Sequence, residues 1–231
     1  MGINRTQFNR YLSSESFPRP DVLHRICVFF EVDARILLEP VDEIAPTAPD
    51  LLSHPIVREF LGNGTEFVDE KDFPSGFFRF TRPSFTDKSL FVVGLVYVFR
   101  RDGYTFLRGY EPKAAMRMQG LGIGPVTREF RAILMRQEEG VAALVARHKA
   151  LTCSFNFFSR VSSFENNFWD GYATRTVRES VNSMRATRLV YEHIQGNRSA
   201  IFETARSGGM KRQDQIHPYH ARLLNLDTSF R

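Results

Sequence analysis

The sequence predicts an α+β protein, with a short helical region at the N-terminus followed by a β-rich, mostly antiparallel domain. Three observations lead there. Apolar residues near the start, Phe8, Tyr11 and Leu12, recur at the spacing of one helix face. An acidic, proline-rich stretch, "EPVDEIAPTAPD", then interrupts all periodicity from Glu39 to Asp50. Beyond it, short runs rich in Phe, Val, Leu and Tyr alternate with turn residues, the signature of strands. These features divide the chain into a helical region at 1–38, a linker at 39–50 and a β-rich domain at 51–231.

The elements follow in order. Asn4 is placed to cap a first helix, "RTQFNRY", whose outer face carries Arg5, Thr6, Asn9 and Arg10. "SSESFPRPD" ends it with serines and two prolines, and Asp21 starts a second helix with Leu23, Ile26, Phe29 and Phe30 as its apolar residues. A short third helix, "DARILL", precedes the linker, and "HPIVREFLG" adds one after it. The predicted strands are "GFFRFTR", "LFVVGLVYVF", "YTFLRGY", "REFRAILMR", "VAALVAR", "LTCSFNFF", "TRLVYEHI" and "AIFET". Asp102-Gly103 and Gly196-Asn197 read as hairpin turns. In "LTCSFNFF" the alternation assigns Leu151, Cys153, Phe155 and Phe157 to the buried face. Seven to nine strands in a curved sheet result.

Bulk properties narrow the setting. A chain of 231 residues, 42% hydrophobic and 25% charged, can bury a sizeable core as one domain or one plus a small appendage. Its net charge of +5 tolerates a polyanionic partner without demonstrating one. Cys27 and Cys153, the only cysteines, sit in core-like patterns and read as reduced thiols, which places the protein in the cytoplasm. No run approaches the roughly 20 apolar residues that span a bilayer, and no signal peptide opens the chain, so no membrane role is expected.

The succession Gly2-Ile3-Asn4, "RTQFNRY", a serine-rich turn, Pro18 or Pro20, then "LHRICVFFEVDARILL" resembles the lambda-repressor-like, or Xre-type, helix-turn-helix regulators. The resemblance covers about the first 40 residues. It implies a partial helix-turn-helix over 1–38, with "RTQFNRY" as the recognition helix in the major groove. Arg5, Thr6 and Arg10 are then the residues expected to read base edges, with Gln7 and Asn9 next. The implied partners are operator DNA and a second copy of the chain in a homodimer. Ser14 and Glu31 stand where the family commonly has glycine. Two helices of the family would precede Gly2, so the motif's first half is expected to have been lost at the start of the sequence.

The β-rich domain is read as the sensing or dimerising part. Its many phenylalanines, 22 in the whole chain, suit a cavity for a small apolar or aromatic effector. Arg79, Arg108, Arg131, Arg175 and Arg188 lie in or beside apparent strands, where some could hold an anionic group. Catalytic signals are thin. "GLGIG" at 120–124 lacks the GxGxxG spacing, no GxSxG elbow occurs, Cys153 reads as core, and His217 with His220 lacks further metal ligands. No enzyme activity, cofactor or metal is therefore expected. The sequence reads as a DNA-binding transcriptional regulator with a C-terminal effector-sensing or dimerisation domain. The alternative is a small-molecule-binding domain, or an enzyme, with a vestigial helical appendage and no DNA binding.

Overall fold

The computed structural model describes residues 4–30, 57, 59–60, 67–178, 184–196 and 198–228, and the chain divides into two compact units, 1–61 and 62–231. In the first, α1 (Arg5–Leu12) is capped by Asn4, whose side chain accepts from the Thr6 amide at 2.9 Å. The chain leaves α1 through Ser14 at φ 59°, the left-handed conformation that glycine adopts most easily. α2 (Pro20–Phe30) opens on a proline, whose missing amide proton costs nothing in a first helical turn. It buries Val22 and Cys27, while Leu12, Val28 and Phe29 stay exposed. The expected helix "DARILL" and the linker at 39–50 lie outside the described residues.

The second unit corrects the predicted fold class. Instead of an α+β arrangement, with a helical region leading into a curved sheet, the dominant structure is a closed, eight-stranded antiparallel β-barrel with a few short helices. Its strands are β1 (Gly76–Pro83), β2 (Phe91–Arg101), β3 (Tyr104–Tyr110), β4 (Glu129–Gln137), β5 (Gly140–Arg147), β6 (Cys153–Arg160), β7 (Phe168–Thr174) and β8 (Ala186–His193). Each pairs with the next, and β8 pairs back onto β1 from Phe78↔His193 to Thr81↔Val190. That last pairing satisfies the amides an open sheet would leave at its edges. A sequence-local reading cannot see it, because its partners lie more than 100 residues apart.

Two elements also differ individually. "FWDGYAT", broken by Asp170 and Gly171, gave no strand signal, yet it forms β7. "AIFET" lies in a helix, α5 (Arg198–Ser207), which turns Ala200, Ile201 and Thr204 inward at helical spacing. Besides α5, the accessory pieces are α3 (Lys113–Met118) and α4 (Pro125–Arg128) between β3 and β4, a short β9 (Gly209–Lys211) beside the start of β2, and α6 (Pro218–Leu223). Ile216 and Leu224, flanking α6, cover Phe91, Val93 and Val190 on the outside of the barrel.

Alternation along each strand fills the interior. At one end the segment before β1 plugs the barrel: Phe73 stacks on Phe78 at 4.8 Å and meets Trp169 edge-on at 5.1 Å. Arg100 fastens this plug by donating to the carbonyls of Val68 and Phe73, at 2.9 and 2.8 Å, and to Ser75 Oγ. Trp169 Nε1 donates to the Asp72 carbonyl at 3.0 Å. Tight connections gather at this end, including Asp102-Gly103 with both φ positive, the geometry that matches strand twist. The two longest connections, 111–128 and 175–185, fall at the other end with 84–90 and 148–152. The filled half thus leaves one mouth.

Candidate ligand-binding site

A cavity of about 130 Å³ occupies the mouth half of the barrel. Its apolar wall includes Phe80, Val92, Phe130 and Leu189. Phe80 and Phe130 can lie across the interior because they face glycines: a Cβ at Gly94 would meet the Phe80 ring at 2.4 Å, and one at Gly109 the Phe130 ring at 2.4 Å.

Three arginines line the same space. Arg82 continues the inward row of Phe78 and Phe80, Arg147 that of Val141, Ala143 and Val145, and Arg175 that of Trp169 and Ala173. One carboxylate, Glu111 at the end of β3, faces them, with its main chain held by Arg128 donating to its carbonyl at 2.8 Å. Glu111 Oε1 pairs with Arg82 at 3.5 Å, while its Oε2 is buried without a hydrogen bond. Arg82 and Arg175 both lie against the Phe85 ring, at 4.5 and 5.2 Å. Arg175 donates to Gln119 Oε1 at 3.3 Å, and Arg147 donates to Met116 Sδ at 3.6 Å. Among the described residues neither Arg147 nor Arg175 meets a carboxylate within ion-pair distance.

Three guanidinium groups against one carboxylate leave a surplus of two positive charges. The strain shows in protonation. Burial pushes Arg82 below the ordinary arginine range despite Glu111, and burial followed by repulsion from Arg82 and Arg147 does the same to Arg175. A bound anion would relieve both effects, and planar guanidinium forks suit a carboxylate or phosphate.

Two buried polar residues also line the cavity: Tyr191, 3% exposed, opposite Trp169, and Asn156, 7% exposed, opposite Ala173. The Tyr191 hydroxyl has no hydrogen-bond partner among the described residues, and burial drives its pKa upward, so it remains a neutral donor. Asn156 Oδ1 accepts from Ser154 at 2.7 Å, while its amide nitrogen makes no hydrogen bond to a described residue. Both groups line the cavity without a hydrogen-bond partner among the described residues for the hydroxyl or the amide nitrogen.

The sequence placed this chemistry only in part. Of the five β-domain arginines it singled out, Arg175 alone lines the cavity. Arg108 and Arg131 pair with Glu129 outside, Arg79 with Glu192, and Arg188 donates to the Asn225 and Thr228 carbonyls. Arg82, Arg147, Tyr191 and Glu111 were missed, although strand parity carries the signal for the first three. Parity was also misread in "LTCSFNFF": Ser154, Asn156 and Phe158 point inward, while Leu151 and Phe155 are exposed. Ser154 and Asn156 thereby line the cavity. Cys153 accordingly lines the mouth instead of the core.

The expected DNA-reading residues Arg5, Thr6, Gln7, Asn9 and Arg10 share α1 and are exposed. Gln7 donates to the Tyr11 hydroxyl at 2.7 Å, and Arg10 lies 3.6 Å from Glu15. No cluster of metal-binding side chains occurs among the described residues. His220 is occupied otherwise: its Nδ1 accepts from the Thr81 hydroxyl at 2.7 Å and its Nε2 donates to Glu192 at 3.0 Å. Hydroxyl, imidazole and carboxylate in a row is the order of a hydrolytic triad. Here Thr81 is 1% exposed and His220 0%, so no substrate reaches the hydroxyl, and the row acts as a latch between α6 and the barrel wall.

Fold and site together define a plugged, up-and-down β-barrel with a cationic mouth. No protein-family model, curated protein or solved structure matches this chain. No helix among the described residues is long and apolar enough to cross a membrane.

Proposed function

We propose that the barrel binds a small organic anion and serves as the effector-sensing part of the protein. The observation that carries this reading is the convergence of Arg82, Arg147 and Arg175 on one cavity, with two of the three lacking a carboxylate among the described residues. Eight strands leave an interior that side chains can fill or that can hold one small ligand, and this one is filled only at the plugged half. The proposed role is binding, and the triad-like row is sealed from substrate. Free Cys27 and Cys153 thiols suit the cytoplasm.

Operator binding through α1 is the accompanying proposal, supported by the exposed row Arg5, Thr6, Gln7, Asn9 and Arg10. A homodimer accompanies it. Phe106, Ile133, Leu144 and Phe155 stand opposite one another across the outside of β3 to β6, forming an apolar row that a second copy would cover.

Thermal unfolding with acetate, benzoate or phosphate against matched sodium chloride tests the anion reading. A ligand that binds only the folded state at one hundred times its Kd stabilises by about 2.7 kcal/mol. A saturable rise in melting temperature, absent with neutral benzamide, is expected. Equal effects from benzamide and all salts would reject the reading.

A further inference from the structure

Resting on the anion-binding reading, we infer that the ligand is two-ended: a ring-sized carboxylate whose acidic group meets Arg147 and Arg175 and whose far end carries a hydroxyl or similar hydrogen-bonding group for Tyr191 and Asn156. Three features of the cavity lead there. Its polar atoms are spread along the barrel. Arg147 and Arg175 stand at the strand ends, and Asn156 lies opposite Ala173, one inward position below Arg175. Tyr191 lies opposite Trp169, about 20 Å of strand from residue 175 at 3.3 Å per residue. The Tyr191 hydroxyl lies within electrostatic reach of Arg82 and Glu111. The wall beside them is apolar, with Phe80 opposite Tyr191, Phe130 opposite Arg147, and Leu189. Finally, about 130 Å³ compares with the roughly 150 Å³ of a protein cavity that accepts benzene.

Tyr191 and Asn156 supply the selectivity. The Tyr191 hydroxyl and the Asn156 amide line the cavity without a protein partner among the described residues, so an apolar ligand end that displaces water from them leaves both unsatisfied. A ligand hydroxyl can accept from Tyr191 Oη–H or from the Asn156 amide. A methyl group of the same size leaves both orphaned. A bare inorganic anion satisfies the arginines alone and does not meet Tyr191 and Asn156.

Dissociation constants for benzoate, 4-methylbenzoate and 4-hydroxybenzoate, measured on the full chain and on Tyr191→Phe and Asn156→Leu, test the inference. The 4-hydroxy compound should bind the full chain roughly tenfold more tightly than the 4-methyl compound, as one buried hydrogen bond allows. That preference should shrink or vanish in Tyr191→Phe, whose melting temperature should not fall because the hydroxyl it lacks holds nothing. A 4-methyl preference in the full chain, or a 4-hydroxy preference surviving in both variants, overturns the inference. If acetate or phosphate binds and no benzoate does, the two-ended ligand is wrong while the anion reading stands. If no anion binds, the anion reading itself falls.

Discussion

His220 ties a terminal helix to the barrel, and its chemistry sets a pH dependence. Burial holds the imidazole below its usual 6.5, partly offset by Glu192, so it is neutral in the folded protein. The carboxylate fixes the tautomer, because Glu192 can only accept and the Nε2 proton must point at it. Burial alone would raise the Glu192 pKa, but the His220 hydrogen bond and the Arg79 charge hold it below its usual 4.5. For both groups the unfolded chain binds protons more readily than the folded one, so stability falls as the solution is acidified. The loss should begin as pH drops through 6.5 and deepen below 4.5. Denaturant unfolding from pH 8 to 4 should show this slope, and His220→Gln should make it shallower between those values. His193, also lowered chiefly by burial, keeps some of the slope in that variant. An unchanged slope in His220→Gln would remove any role for the latch in acid stability.

Among the elements, the plug before β1 and the glycines beneath the cavity wall make separate predictions. Arg100→Ala deprives the buried Val68 and Phe73 carbonyls of their donor, which costs about 1–3 kcal/mol for each group left unsatisfied. Unfolding midpoints should register that loss while the mouth, at the opposite end, keeps its arginines. Gly94→Val inserts a side chain where the Phe80 ring lies, at a cost of about 1–3 kcal/mol for overpacking, and narrows the cavity from beneath. Arg100→Ala should therefore lower stability alone, and Gly94→Val should lower stability and ligand affinity together. Legibility at this scale followed the strength of local pattern. β3 coincides with "YTFLRGY" because its alternation and its Asp102-Gly103 turn are both local signals. β7 escaped notice because a carboxylate and a glycine interrupt it, and α5 was taken for a strand because five residues carry too little of a 3.6-residue period.

At the scale of the whole molecule, closure is what the sequence hid and what makes the site. Curvature and antiparallel pairing could be anticipated from alternation, but the β1–β8 pairing depends on two strands at opposite ends of the domain. Without closure Arg82, Arg147 and Arg175 are three arginines on three strands, each indistinguishable from a solvated one. With it they surround one volume. The phenylalanines pack the plugged end and wall the mouth, and under the proposed function charge marks where a ligand would sit. The most direct measurement of the central claim is isothermal titration of benzoate into the wild-type chain and into an Arg147→Ala/Arg175→Ala double variant. Removing one charge-assisted hydrogen bond costs about 1.5–3 kcal/mol, so one-to-one binding should weaken at least a hundredfold in the variant, whose fold should survive because neither arginine has a carboxylate partner among the described residues. Equal affinity in both proteins, or no binding to the wild type by benzoate, acetate or phosphate, would contradict the claim that this barrel captures an anion through its mouth.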